Sequence, residues 1–117
     1  MENGKEVTID GTVYVPKVRS KNGMQYVMVR TYSAGVHCGY LESMQGKEVV
    51  LVDSIRIWKW SGAASLSQLA MEGTNDPDEC KFAMPITTQL ILTEAIEVIT
   101  MTEIAIINIK SVPPWEA

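Results

Sequence analysis

Over roughly the first half of the chain, apolar and polar residues alternate in short runs punctuated by glycine. Glu6-Val7-Thr8-Ile9 and Thr12-Val13-Tyr14-Val15 flank Asp10-Gly11. Alternation about Asp-Gly predicts a two-residue hairpin, because both turn positions require φ > 0. Pro16 ends that ladder by removing a backbone donor. Asn22-Gly23 is a second turn signal, and it introduces the strand-forming run from Gln25 to Tyr32. Ala34-Gly35 breaks this run, and Val36 to Leu41 reads as the next strand. Gln45-Gly46 turns into Lys47 to Val52, with a bend or bulge at Asp53-Ser54 before Ile55 to Trp60. Short strands joined by glycine turns predict an antiparallel meander that curls into a small barrel or half-barrel.

The period then changes. Ser65-x-x-Gln68 has the spacing of a capping box, in which the serine oxygen takes one free amide and the glutamine returns to another. Leu66, Leu69 and Ala70 form a short apolar face, and Gly73 stands where a helix ends on a glycine, so the pattern predicts a helix over Ser65–Glu72. Thr74 to Lys81 is an acidic loop. Thr87 to Leu92 and Ile96 to Ile99 read as strands. Thr100-x-x-Glu103 has the same box spacing and opens a helix over Glu103–Ser111, stopped by Pro113-Pro114. At about 100° per residue, Ile104, Ile106, Ile107 and Ile109 fall on nearly all sides of that helix. Its β-branched content also permits a strand, which would place Ile104 and Ile106 on one face and Ile107 and Ile109 on the other. In either form apolar surface is left over, which predicts a homo-oligomer. The rival is cover from the N-terminal residues or from Pro113-Pro114-Trp115. The expected fold is α+β: one domain over 1–117, mainly antiparallel sheet with two short helices, made of an N-terminal hairpin addition over 1–24 and a core over 25–113.

Composition narrows the chemistry. The chain has 117 residues, enough for one core. No apolar run approaches the roughly 18 residues needed to span a bilayer, and the first five residues lack a secretory apolar stretch. Cys38 and Cys80 are too few for a disulfide scaffold and too far apart for a zinc pair. These features predict a protein of a reducing cytoplasm with free buried thiols. The net charge of −4 is unevenly spread. Residues 1–60 carry eight Lys/Arg against six Asp/Glu, and residues 61–117 carry two against eight. A tight nucleic-acid binder shows a basic surplus, so that class is set aside.

His37 is the single histidine. In a strand its neighbour Cys38 points to the opposite face, so the two form no nucleophile–base pair and His37 reads as a polar strand residue. No phosphate-loop motif occurs. Asn75-Asp76-Pro77-Asp78-Glu79 lacks the spacing and distal glutamate of a calcium loop and reads as solvated acid. Neither a metal nor a cofactor is expected, and no catalytic set is visible. Strand alternation places Arg56, Trp58 and Trp60 on one face and Ile57 and Lys59 on the other. The Arg/Trp face reads as core or subunit packing, given the burial preference of tryptophan. It also has the composition of a stacking platform for a flat ligand. Ser61, Gly62 and Ser65, in a small-residue turn before a helix, read as a tight connection, with an anion site at the exposed amides as the alternative. Arg30 and Tyr32 lie at a strand end beside a glycine turn, where binding residues collect. The candidate ligand-binding set is therefore Arg30, Tyr32, Arg56, Trp58, Trp60, Ser61, Gly62 and Ser65.

Three stretches, Val29 to His37, Ile57 to Gly73 and Leu92 to Ile99, together resemble a family of small proteins of tailed bacteriophages and prophages with no established activity. The resemblance spans Tyr26 to Pro113 and is specific in Trp60-Ser61-Gly62-Ala63-Ala64-Ser65, and the first two dozen residues are an addition to it. It implies a phage accessory protein acting in the cytoplasm of the infected bacterial cell, and it carries over no catalytic residue. The expected function is a non-enzymatic binding module that inhibits host defence by binding a host protein or a small nucleotide signal. The alternative is a structural or assembly component of the phage particle, and an enzyme ranks last.

Overall fold

The computed structural model describes residues 7–9, 12–14 and 23–115, with side chains from residue 23 onward. Among them the glycine-punctuated runs form eight strands, and the later segments form two α-helices. β1 (Val7–Ile9) and β2 (Thr12–Tyr14) pair antiparallel, with Ile9 opposite Thr12. That register leaves the two residues expected for a hairpin turn, but Asp10 and Gly11 themselves lie outside the described residues. β3 (Tyr26–Thr31), β4 (Val36–Gln45) and β5 (Glu48–Lys59) follow as a meander. Gly23, Gly35 and Gly46 all sit at positive φ in the turns that precede these strands. α1 (Leu66–Glu72), a 3-10 turn over Pro77–Glu79, β6 (Lys81–Phe82), β7 (Leu90–Leu92), β8 (Ala95–Thr100) and α2 (Glu103–Ser111) complete the order.

The sheet runs β6-β5-β4-β3-β8, and β7 also pairs with β5. All its ladders are antiparallel. Thr93 and Glu94 join β7 to β8, yet β7 pairs with β5 and β8 with β3, so the sheet curls without closing into a barrel. The curl comes from the long β4–β5 hairpin. Val49 and Leu51 from its far end pack with Val27 and Val29 of β3, and the Ala95 amide donates to the Lys47 carbonyl at 3.0 Å. Extra residues along the ladder supply the bending. Asp53 and Ser54 together oppose Gly39 between the pairs Cys38–Ile55 and Tyr40–Val52, and Asp53 has φ 52°. The expected bend at Asp53-Ser54 is thus a bulge inside one strand of 12 residues, not a break between two. β4 likewise runs on to Gln45, past the expected end at Leu41, because β5 pairs with it as far as Glu48. β7 begins at Leu90, three residues later than the apolar pattern suggests.

β3 is buried on both faces. Tyr26 and Met28 enter a large cluster between the sheet and the helices, with Cys38, Ile57, Leu69, Phe82 and Ile106. Val27 and Val29 enter a smaller one inside the curl, with Leu51, Leu92 and Ala95. Cys38 and Cys80 are buried free thiols, and burial pushes the Cys38 thiol far above its ordinary range.

α1 starts at the expected cap, although Gln68 reaches the amide one residue before Ser65 and not that of the N-cap itself. Ser65 Oγ accepts the Gln68 amide at 3.1 Å, and Gln68 Oε1 accepts the Ala64 amide at 2.8 Å. The second box is displaced. Thr100 is held in the β8 ladder opposite Val27, so α2 cannot begin there. Thr102 is the N-cap instead, accepting the Ala105 amide at 3.1 Å. α2 is a helix, as the first of the two readings has it. It buries Ile106 and Ile109 and leaves Ile104 73% and Ile107 59% exposed. Trp115 does not fold over that outer face: its amide donates to the Phe82 carbonyl at 2.8 Å, and Lys81 lies over its ring.

Candidate functional site

The candidate site is built at the end of β5. Ile55 and Ile57 point into the large cluster, which sends Arg56 and Trp58 to the opposite face. There Arg56 lies directly across β4 from His37, which is opposite Val29 of β3 in turn. Ile57 pairs with Phe82 but Lys59 pairs with Lys81, so β5 carries one residue more than β6 at Trp58. This bulge has two consequences. It pushes the Trp58 ring outward, 59% exposed, and it resets the alternation beyond it. Trp60 is consequently half-buried against the large cluster, not beside Trp58, which corrects the shared face read from strict alternation. The Arg56 guanidinium sits over the Trp58 ring at 5.5 Å from its centroid, an attraction of about 0.5–1 kcal/mol at an exposed site.

His37 lies behind this pair with no exposed surface. Its Nε2 is 2.9 Å from the Ala34 carbonyl, so Nε2 carries the proton and donates, while Nδ1 is buried without a partner. Burial depresses its pKa below 6.5 and the Arg56 charge adds to this, while the Ala34 carbonyl opposes both. A neutral imidazole here braces the turn that carries Tyr32 and faces away from Cys38, which belongs to the large cluster.

Tyr32 is 79% exposed at the same end of the sheet, in the β3–β4 turn, with its amide bound to the Glu94 carbonyl at 2.9 Å. Arg30 does not join Arg56: its Nε donates to Glu97 Oε1 at 3.0 Å on the neighbouring strand. The Ser61–Ser65 turn is occupied from within. The Ser61 amide donates to Cys80 Sγ at 3.5 Å and its hydroxyl to Asp76 Oδ2 at 3.2 Å, while its carbonyl accepts the Thr74 hydroxyl. Gly62 has φ 83°, and a Cβ there would lie 2.6 Å from both Asn75 Oδ1 and Thr74 Oγ1. The small residues therefore serve a close crossing of two loops. An anion there would meet the Asp76 carboxylate, the Ser61 and Ala64 amides are already engaged, and Ser65 Oγ holds the Gln68 amide, so Ser61, Gly62 and Ser65 serve the loop crossing and the helix cap.

Sequence reasoning missed two arrangements. Asn108 brackets the Thr74 backbone, its Oδ1 accepting the Thr74 amide and its Nδ2 donating to the Thr74 carbonyl, each at 2.8 Å. The signal was available: one amide side chain in the apolar run Ile104 to Ile109. Lys110 Nζ lies 4.9 and 4.5 Å from the ring centroids of Tyr26 and Tyr40, which meet edge to face. It also donates to the Tyr40 hydroxyl. Among the described residues no group of three or more His, Cys, Asp or Glu side chains is placed to hold a metal ion, and no helix is long and apolar enough to cross a membrane.

Residues 24–109 match the model of a protein family, DUF6948, described as a domain of unknown function. The match takes in the whole sheet from β3 to β8, α1 and most of α2. No curated protein and no solved structure matches the chain.

Proposed function

We propose that this chain, which belongs to the DUF6948 family, a domain of unknown function, is a non-enzymatic binding module that engages a protein partner through Trp58 and Arg56. The observation that carries this reading is a tryptophan extruded from the sheet by a bulge and held under an arginine. Burying such a ring inside the fold would stabilise it by about 1.5–3 kcal/mol, but the register of β6, fixed by Phe82 and Lys81, holds it outside. Tryptophan and arginine are also the side chains that most often dominate protein interfaces. Tyr32, exposed at the same end, extends the surface. A nucleotide is disfavoured as the ligand because the neighbouring turn presents the Asp76 carboxylate to its phosphates. The resemblance to tailed-phage proteins supports a partner in the cytoplasm of the infected bacterial cell, with interference in host defence as the consequence.

The test compares bacterial proteins captured by the parent chain with those captured by Trp58→Ala and Arg56→Ala. Each truncation should weaken capture of a specific partner by about 10-fold or more, as expected for an interface anchor. Because Trp58 is exposed, its variant should melt within about 0.5 kcal/mol of the parent. Identical capture by all three proteins refutes the reading. Saturable quenching of Trp58 fluorescence by micromolar free nucleotide would replace the protein partner with a small ligand.

A further inference from the structure

We infer that the partner of this module presents a short run of carboxylates to a strip of three cations, Arg56, Lys59 and Lys81, interleaved with Trp58 and Trp115. The inference rests on the reading of Trp58 and Arg56 as a binding surface and names the chemistry that this surface takes. Ile57 and Phe82 enter the large cluster, so alternation sends Lys81 to the other face, beside Arg56. The bulge at Trp58 returns Trp60 to the cluster and so turns Lys59 to the face of Lys81. Lys59 and Lys81 are both exposed and directly opposite each other, which sets their α-carbons about 4.5–5.5 Å apart. The Lys81 ammonium lies over the half-exposed Trp115 ring at 4.9 Å, as Arg56 lies over Trp58. In a chain of net charge −4 this strip is an island of positive charge.

Among the described residues none of the three cations is paired with a carboxylate, whereas Arg30 is paired with Glu97. A cation over a ring keeps its charge, and its N–H groups remain free to donate. Like charges directly opposite across a ladder repel. A carboxylate between the two lysine ammoniums would turn that repulsion into attraction, and the Arg56 guanidinium would take a second carboxylate in its fork. Trp58 would pack on an apolar neighbour of these acids. The border of the strip selects the kind of anion. Asp76 is bound to Ser61, two positions past Lys59, and Asp78 and Glu79 precede Lys81 in the loop. A nucleic acid, charged at every step of its backbone, would be repelled by this border, while a protein segment with a few carboxylates needs only the cations. The Trp115 amide already uses the Phe82 carbonyl, so side chains and not strand addition make the contact.

Fluorescence anisotropy of a labelled oligoglutamate peptide with a central leucine tests the inference. The parent chain should bind it saturably at low salt, should not bind the matching oligoglutamine peptide, and should lose at least about 10-fold in affinity as salt rises to about 0.3 M. Lys59→Glu combined with Lys81→Glu should weaken binding by at least about 10-fold. That variant should melt like the parent, because both residues are exposed and the pair stays like-charged. Lys47→Glu, at an exposed cation in the β4–β5 turn, should bind as the parent does. Three results would each overturn the inference: no saturable binding by the parent, equal binding by the double lysine variant, or tighter binding of a single-stranded oligothymidylate than of the peptide. Repeating the titration with Trp58→Ala separates the two readings. Binding weakened by Trp58→Ala but not by the lysine reversals overturns the acidic partner and leaves the module. Binding weakened by the lysine reversals but not by Trp58→Ala supports the acidic partner and removes Trp58 as its anchor.

Discussion

Asn108 offers the sharpest energetic test of how the helices are locked together. Its amide satisfies both backbone groups of Thr74, a residue only 4% exposed, and its side chain also fills the space above Gly73. Gly73 ends α1 at φ 78°, ψ −164°, in a region essentially restricted to glycine, and a Cβ there would lie 2.4 Å from Asn108 Oδ1. Asn108→Ala leaves a buried N–H and a buried C=O without partners, each costing about 1–3 kcal/mol. Some of this is recovered by water at the half-buried site, so the expected loss is about 2–4 kcal/mol. Gly73→Ala should lose about 1–3 kcal/mol from backbone strain alone, with a further penalty from the clash. In the double variant the contacts with Oδ1 and Cγ are removed, and only the milder 2.8 Å approach to the Cβ of position 108 remains beside the strain and the lost hydrogen bonds. The two losses should therefore sum to more than the double variant shows, by at least about 0.5–1 kcal/mol. Urea unfolding measures this: at about 1–3 kcal/mol per molar, Asn108→Ala should move the midpoint by about 1–2 M with an unchanged slope. A loss under about 0.5 kcal/mol, or strict additivity with Gly73→Ala, would show that the bracket does not hold the helices.

Two further outcomes follow from the caps and from the histidine. Ser65→Ala and Gln68→Ala should each cost about 1 kcal/mol or less. Thr102→Ala should cost about 1 kcal/mol, whereas Thr100→Ala, exposed on β8, should stay within about 0.5 kcal/mol. Melts in which Thr100→Ala is the costlier of the pair would refute the displaced cap. His37 has its folded pKa below the ordinary 6.5, so the unfolded chain takes up the proton first as pH falls. Its contribution to stability is whole above about pH 6.5 and is lost as pH drops from there through the folded value. As the only histidine, it should dominate the change in urea midpoint between pH 7.5 and 5.5, and His37→Gln should flatten that change. An equal slope in the variant would count against a neutral buried imidazole.

What could be read from the sequence divides along a physical line. Features set within a few residues were legible. The glycine turns, the Ser65–Gln68 cap, the Gly73 terminus and the kink at Asp53-Ser54 all follow from local φ/ψ requirements and side-chain reach. The fold class follows from them, because short strands between tight turns leave an antiparallel sheet as the simplest pairing. Features set between distant segments were not. Thr100 and Thr102 are equally good caps by type, and the choice falls on Thr102 because Val27, more than seventy positions earlier, holds Thr100 in a ladder. The two faces of α2 were likewise undetermined until the sheet claimed Ile106 and Ile109.

The site shows the same limit most clearly. Alternation correctly separates Arg56 and Trp58 from Ile57, but it extends the pattern to Trp60 and so joins two tryptophans that the fold parts. A bulge belongs to two strands at once: whether Trp58 is extra depends on β6, only two residues long, pairing Lys81 with Lys59 and Phe82 with Ile57. Phe82 is buried and the Lys81 ammonium lies over Trp115, so β6 is pinned on both sides and cannot slide by one residue to absorb the difference. A slip would expose Phe82 and bury Lys81, because a one-residue shift exchanges the faces of a strand. The anchor that fixes the exposed tryptophan is therefore the pair Lys81–Phe82, and the exposure of Trp58 is a property of that register more than of the sequence around it.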